Sequence, residues 1–327
     1  MKYRIVLVVH DPFDRFSHPA ALPKTLAGFD ALAGEFELVV SVNRAPNCPR
    51  TSNLVATWCA SREWAKCLLH EQIQGASASF NSGLNSLTDD IGAVVLMSAD
   101  ALLIDHALLD TLSDAFDRSP RVGLAHPVSV FEDNDTANHP REWTGSAFAT
   151  LFNSLTPESD PVELDRSLTA RGHELAIDCA SRPSAVSRPL AALPLTFLAI
   201  RASTLSAAGP LDERWRAGYE NLDQSLRAYQ AGFASVIVRD AFVMHHRLLF
   251  RSLGSYGPES SEVSSLCGLQ AWHDKWGADP RAAWYSARFG PRRSRLIVAA
   301  FARAEAMPGV AARIRVARTR ALRWHRQ

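Results

Sequence analysis

Asp100 closes the segment Met97-Ser98-Ala99-Asp100-Ala101, directly after the apolar run Ile91 to Met97. A carboxylate at the end of a buried strand, beside residues small enough to let a ligand approach, suits a divalent cation carrying a diphosphate. Mg2+ or Mn2+ takes one or two protein carboxylates in such a site and completes its shell with phosphate oxygens and water. The position equally suits an Asp that caps the following helix. Glu220 and Asp223 stand three apart at the start of a helical segment, so they share one face near the positive end of its dipole. That pairing suits a general base poised by the helix, and it also suits plain N-terminal capping. His245 and His246 follow the strand-like run Ala241 to Met244, where an imidazole serves either as a cation ligand or as a structural side chain.

These residues need a frame that brings strand ends together. Ile5 to Val9 is a continuous apolar run of the kind found in a strand covered on both faces. Helical spacing follows over Pro19 to Ala33, then a Val-rich run over Phe36 to Val42, a helix near Ser77 to Leu87 and the run Ile91 to Met97. Further helical spacing covers Asp105 to Phe116, with a short strand at Val122 to Ala125. After the middle of the chain come a strand at Leu195 to Arg201, helices at Ala202 to Ala208 and Glu220 to Gln230, and a strand at Ser235 to Val238. Strands alternating with helices of this length predict an α/β fold with a mostly parallel sheet. Ligands then sit beyond the carboxyl ends of the strands, where Asp100 and His245 fall. Residues 129–193 are rich in Pro, Ser, Asp and Asn and only weakly periodic, as expected of loops forming an acceptor-binding lid.

The 327 residues carry a net charge of only +1, but the charge is uneven. Gly290 to Gln327 holds ten Arg and a single acid, Glu305, leaving 25 basic and 33 acidic residues before it, a charge of −8. An acidic body argues against extended nucleic-acid binding. In the tail, Val310, Ile314, Ala317, Ala321 and Trp324 recur at spacings of four and three between arginines. This is a basic amphipathic helix, suited either to an anionic membrane surface or to packing on an acidic protein face. The five cysteines form no CxxC pair and are read as reduced thiols of a cytoplasmic protein. No signal-peptide core or bilayer-length apolar run is expected.

The order of the segments resembles the family-2 glycosyltransferases, and in particular their rhamnosyltransferase-like branch. Gly75 to Leu84 resembles the family's G-x-a-x-a-x-N-x-G-l, and Ile91 to Asp100 its strand ending in D-x-D or N-x-D. Ala208 to Trp215 is similar to G-G-f-D-E-x-f, and Glu220 to Arg227 with Gly232-Phe233 to E-D-x-D-l-x-x-R and its trailing G-y. Ala241 to His245 matches a-x-v-x-H, and Trp272 to Gly277 resembles an F-x-x-K-W-g ending. The resemblance spans roughly Lys2 to Gly277 and implies a GT-A (Rossmann-like) fold over 1–255, followed by a helical extension over 256–327. It implies inverting transfer of a sugar from a nucleoside-diphosphate sugar donor to a polysaccharide or lipid-linked glycan acceptor. Asp100 and His245 map to a divalent-cation site (Mg2+ or Mn2+), where the metal acts as a Lewis acid on the leaving diphosphate. Glu220 and Asn221 map to the acid pair beside the acceptor hydroxyl, with Asp223 on the same helix. Asp11 and Asn43 fall where the family holds base and ribose, and Asn81 and Ser98 join Asp100 on the donor side.

The chain also departs from the family pattern. Asn221 stands where the family's usual base is an Asp, Ser98 replaces the first carboxylate of D-x-D, and Asn43 replaces an Asp that commonly holds the nucleobase. Glu220 then serves as the base, or the domain binds sugar nucleotides or glycans without turning them over, assisting a partner. A nucleotidyltransferase would share the cation and diphosphate chemistry. The absence of G-x-G-x-x-G and Walker-type loops argues against hydride transfer and ATP hydrolysis.

Overall fold

The computed structural model describes residues 1–131, 193, 195–215, 220–246 and Lys275. Most of the lid region expected at 129–193, and the extension expected at 256–327 apart from Lys275, lie outside the described residues. Eight strands form one sheet in the order β3-β2-β1-β4-β7-β6-β8-β5. They are β1 Lys2–His10, β2 Phe36–Asn43, β3 Ala65–Leu69, β4 Ile91–Ser98, β5 Ala101–Leu102, β6 Val122–Phe131, β7 Phe197–Arg201 and β8 Ala234–His245. Among the described residues the α-helices are α1 Leu22–Asp30, α2 Pro49–Ala60, α3 Ala76–Leu84, α4 Leu108–Arg118, α5 Ala202–Ala208 and α6 Glu220–Gln230.

The sheet is mixed. β1 runs parallel to β2 and β4, and β2 to β3. β7 is antiparallel to both its neighbours, β4 and β6, while β8 is again parallel to β6. Because β7 reverses twice, β4, β6 and β8 point the same way, and the carboxyl ends of β1, β2, β3, β4, β6 and β8 share one edge. Two strands run past the ends that the sequence reading gave them. β6 continues to Phe131 instead of ending at Ala125, and β8 is one strand from Ala234 through His245 instead of a strand followed by a separate run.

Alternation along β1 explains why both faces are covered. Tyr3, Ile5, Leu7 and Val9 enter one core with Leu22, Leu26 and Phe29 of α1, Val55 of α2 and Leu108, Leu112 and Phe116 of α4. Val6 enters a second core with Phe80 and Leu84 of α3, Leu205 of α5, Leu226 of α6 and Trp215. The helices therefore form two layers, α1, α2 and α4 against one face and α3, α5 and α6 against the other. Packing on the second face is closest at Gly83, where an added Cβ would lie 2.3 Å from Val6 Cγ1. Only a glycine allows α3 that near to β1.

α2 and β3 have no counterpart among the predicted elements, and their stabilising contacts come from elsewhere in the chain. α2 begins with Pro49, which suits the first helical turn, but no side chain of its own caps it. Asp14, from the loop after β1, supplies the cap: Thr51 N donates to its Oδ1 at 3.0 Å and Arg50 N to its Oδ2 at 3.3 Å. Burial would raise the Asp14 carboxyl, but the Thr51 amide and Arg50 outweigh it and hold the carboxyl below its ordinary value. β3 is a five-residue edge strand with Lys66 exposed, a feature that discourages further pairing.

Candidate functional site at the carboxyl edge of the sheet

Asp100 and His245 lie 145 positions apart in sequence and meet across the β5–β8 pairing, in which Ala101 stands opposite His245. His245 Nε2 lies 3.0 Å from Asp100 Oδ2, and the main chain closes the same contact as His246 N donates to Asp100 O at 2.7 Å. Ser98 Oγ donates to the other carboxylate oxygen, Oδ1. Burial would raise the Asp100 carboxyl, but the hydrogen bond and charge of His245, with the Ser98 hydroxyl, hold it below the ordinary carboxylate value. The pair is nearly covered, with side-chain exposures of 9% for His245 and 15% for Asp100. Among the described residues no third His, Cys, Asp or Glu joins them in a group of metal-ligating size.

The amino-terminal end of α6 is tied to the end of β4, the strand that leads to Asp100. Met97 pairs with Phe197, and Ser98 N donates to Thr196 O at 3.3 Å. Three residues before Thr196, Leu193 O accepts a hydrogen bond from Asn221 Nδ2 at 2.9 Å. One short stretch of chain thus bridges the end of β4 to the first turn of α6. Glu220, the first residue of that helix, is buried to 8% exposure. Asn221 is a donor here, a role its amide fills and an ionised Asp does not. Asp223, fully buried, has both oxygens engaged: Arg227 Nε donates to Oδ2 at 2.8 Å and Lys275 Nζ to Oδ1 at 2.7 Å.

Asp11, Asn43 and Asn81 are also engaged within the chain. Asp11 shapes the loop after β1, accepting from Phe16 N at 2.7 Å, Thr51 Oγ1 at 2.7 Å and Phe13 N at 3.3 Å. Asn43 ends β2 and ties it to the start of α3. Its Nδ2 donates to Ser79 Oγ at 2.8 Å, while Gln74 N donates to its Oδ1 at 3.2 Å. The single Ser79 hydroxyl proton has two acceptors in reach, Gly75 O at 2.6 Å and Asn43 Oδ1 at 3.0 Å. Asn81 brackets Leu211, donating to its O at 2.8 Å and accepting from its N at 3.0 Å, which fastens the turn after α5 to α3. These three residues set the backbone of the edge, whereas Asp100 and Glu220 carry the carboxylates whose placement suits chemistry.

Arg227 and Asp212 belong to motifs that the sequence displayed without roles. The Arg227 guanidinium donates to Pro210 O at 2.8 Å, and also to Ala208 O, at the carboxyl end of α5 where helix carbonyls otherwise lack donors. Lys275 likewise stands within a recognised ending but reaches back to Asp212 and Asp223. The signal for both was a cation at a motif position; Arg227 has a local partner in Asp223, whereas the partners of Lys275 lie some 50 to 60 positions earlier.

No protein-family model matches the chain, and no curated protein matches it. Among solved structures it is similar to a mannosyltransferase from Pyrobaculum calidifontis in complex with GDP-Man and Mn2+, at 15% identity and TM-score 0.48, covering 98% of this chain and 80% of that one. It is also similar to S. aureus TarS in complex with UDP, at 12% identity and TM-score 0.49, over 88% and 75% of the two chains. GalNAc-T7 with UDP, GalNAc and Mn2+ shows 13% identity and TM-score 0.49, over 75% of this chain and 43% of that one. No helix among the described residues is long and apolar enough to cross a membrane.

Proposed function

We propose that the chain is an inverting, metal-assisted glycosyltransferase that uses a nucleoside-diphosphate sugar. One observation carries this reading: a carboxylate and an imidazole meet at 3.0 Å at the carboxyl edge of the sheet, a short bridge away from a buried Glu at a helix start. Asp100 and His245 fit a divalent cation that takes one carboxylate and one imidazole from the protein and its other ligands from phosphate and water. Such a cation, when bound, supplies Lewis-acid stabilisation of the leaving diphosphate. Ser98 keeps the Asp100 carboxylate oriented and ionised. Glu220 is the general base, placed where the positive end of α6 favours its ionised form and its Oε atoms can accept the proton of an acceptor hydroxyl. Asp223, held by two cations, positions the helix. The acceptor is a polysaccharide or lipid-linked glycan, and the basic amphipathic sequence over 310–327 supports work at an anionic membrane surface from the cytoplasmic side.

A non-catalytic sugar-nucleotide partner is the second reading, favoured by Asn221 standing as an amide that donates to Leu193. Both readings are tested together by thermal shift with UDP-, GDP- and dTDP-sugars, each with and without Mn2+. A donor at a hundredfold excess over its Kd stabilises by about 2.7 kcal/mol, or roughly 4 °C for a chain of this size. The expected result is a Mn2+-dependent shift with one nucleotide class that Asp100→Ala abolishes. Glu220→Gln keeps the shift and loses about 10²- to 10⁴-fold in transfer. Donor binding without consumption by wild type supports the partner reading, and no shift with any donor overturns both.

A further inference from the structure

Lys275 is the described residue furthest along the chain, and its ammonium sits between two acids that already have cations of their own. Asp212 is paired with Arg214 Nε at 2.9 Å, and Asp223 with Arg227 Nε at 2.8 Å. Charge balance therefore does not require Lys275. What distinguishes it is that Nζ lies 2.7 Å from Asp212 Oδ2 and 2.7 Å from Asp223 Oδ1 at once. It also stands 5.9 Å from the centre of the Trp215 ring, within cation–π range of a fully buried indole. The two acids belong to different elements. Asp212 is in the turn after α5 that Asn81 fastens to α3, and Asp223 is one turn into α6, on the face it shares with Glu220. Burial would raise the Asp212 carboxyl, but the Lys275 hydrogen bond leads the contacts that instead hold it low.

We propose that Lys275 is a positioning residue of the site: its ammonium locks the first turn of α6, and with it Glu220, to the turn that Asn81 ties to α3. The link joins the donor-side half of the sheet edge to the helix that carries the base. Lys275, 30 positions beyond His245, thus belongs with the elements that position the site. Flexible though a lysine stem is, its ammonium has three donors, and here two of them are committed to carboxylates. The assignment to catalysis rests on the function proposed above, but the mechanical claim does not.

The test is amide hydrogen exchange, read by mass spectrometry on the full chain, of Lys275→Met, Asp212→Ala and the double variant. Either single change is expected to speed exchange over 209–215 and 220–226 by about ten- to a hundredfold, the scale of the Lys275–Asp212 charge-assisted hydrogen bond that both remove. Exchange in α4, on the opposite face of the sheet, is expected to stay within error of wild type. The double variant is expected to fall short of the sum of the two single effects, since both changes break the Lys275–Asp212 link while each also removes a bond of its own, Lys275 to Asp223 or Asp212 to Arg214. Unchanged exchange at 220–226, an equal increase in α4, or strictly additive effects would each overturn the proposal. If transfer activity is found, Lys275→Met is expected to lower kcat and leave the donor KM in place. Activity absent even from wild type defeats the transferase reading alone, while the exchange pattern still decides the bridge.

Discussion

Asn221→Asp puts back the acid that the glycosyltransferase pattern would have at that position, and the structure predicts harm rather than recovery. In the wild type, Asn221 Nδ2 donates to Leu193 O at 2.9 Å. An ionised carboxylate offers only acceptors, so one hydrogen bond of about 1 kcal/mol disappears and the covered Leu193 carbonyl loses its donor, at about 1–3 kcal/mol. The second position of a helix favours a negative charge by about 0.3–1 kcal/mol, which offsets part of the loss. The net expectation is a destabilisation of about 1–3 kcal/mol at neutral pH, read as a lower urea midpoint at unchanged slope. Facing a carbonyl, the introduced carboxyl gains most when protonated, so its pKa in the folded variant rises above its unfolded value. A raised folded pKa contributes stability that is complete below the unfolded value and lost as pH rises through the folded one. The deficit of the variant therefore shrinks in acid and is full at pH 7. Turnover should fall or stay level, because the bridge between β4 and α6 is disturbed. A gain of about a hundredfold or more, the scale of a restored general base, would refute the assignment of Asn221 as a tie and Glu220 as base.

Two further outcomes follow from packing and burial. Gly83→Ala drives a methyl to 2.3 Å from Val6 Cγ1 in a fully buried contact, and overpacking of this kind costs about 1–3 kcal/mol. Calorimetry should show the loss, and Val6→Ala in the same chain should recover part of it. Tyr3, fully buried and bonded to Leu109 O at 3.1 Å and Ser113 Oγ at 3.0 Å, has its phenol pushed up to about 12 by burial. Its stabilising contribution is complete below about pH 10 and lost between there and 12, so one tyrosine should titrate late in tyrosinate absorbance, and Tyr3→Phe should remove that step.

Much of the frame was legible because alternation and helical spacing are local. The apolar run at Ile5 to Val9 fell inside β1, and the spacing over Asp105 to Phe116 overlapped α4 from Leu108 onward. What stayed hidden depends on distant partners. α2 takes its cap from Asp14, 36 positions before Arg50, so no window around Pro49 displays an ordinary helix start. β7 looks like any buried strand, and nothing in its own sequence says that it runs against both neighbours. The candidate site divides in the same way. Residue types drew attention to Asp100, Glu220 and His245 separately, while the meeting of Asp100 with His245 exists only through the β5–β8 register. Asn43 and Asn81 stood out as motif positions, but their bonds to Ser79 and Leu211 lie across elements and could not be read along the chain.

The reversed strand β7 also has a consequence for how the chain is made. β4 sits between β1 and β7, with Val94, Val95, Leu96 and Met97 all fully buried. β1 is already present when β4 emerges from the ribosome, but Phe197, which pairs with Met97, comes 100 positions later. At about 5–20 residues per second, that leaves an apolar strand with one open edge for roughly 5–20 seconds. An unpaired, uncharged edge of this kind is a template for pairing with another nascent copy. The yield of folded protein should therefore track translation speed and chaperone supply over the 99–196 stretch more closely than it tracks the stability of the finished sheet.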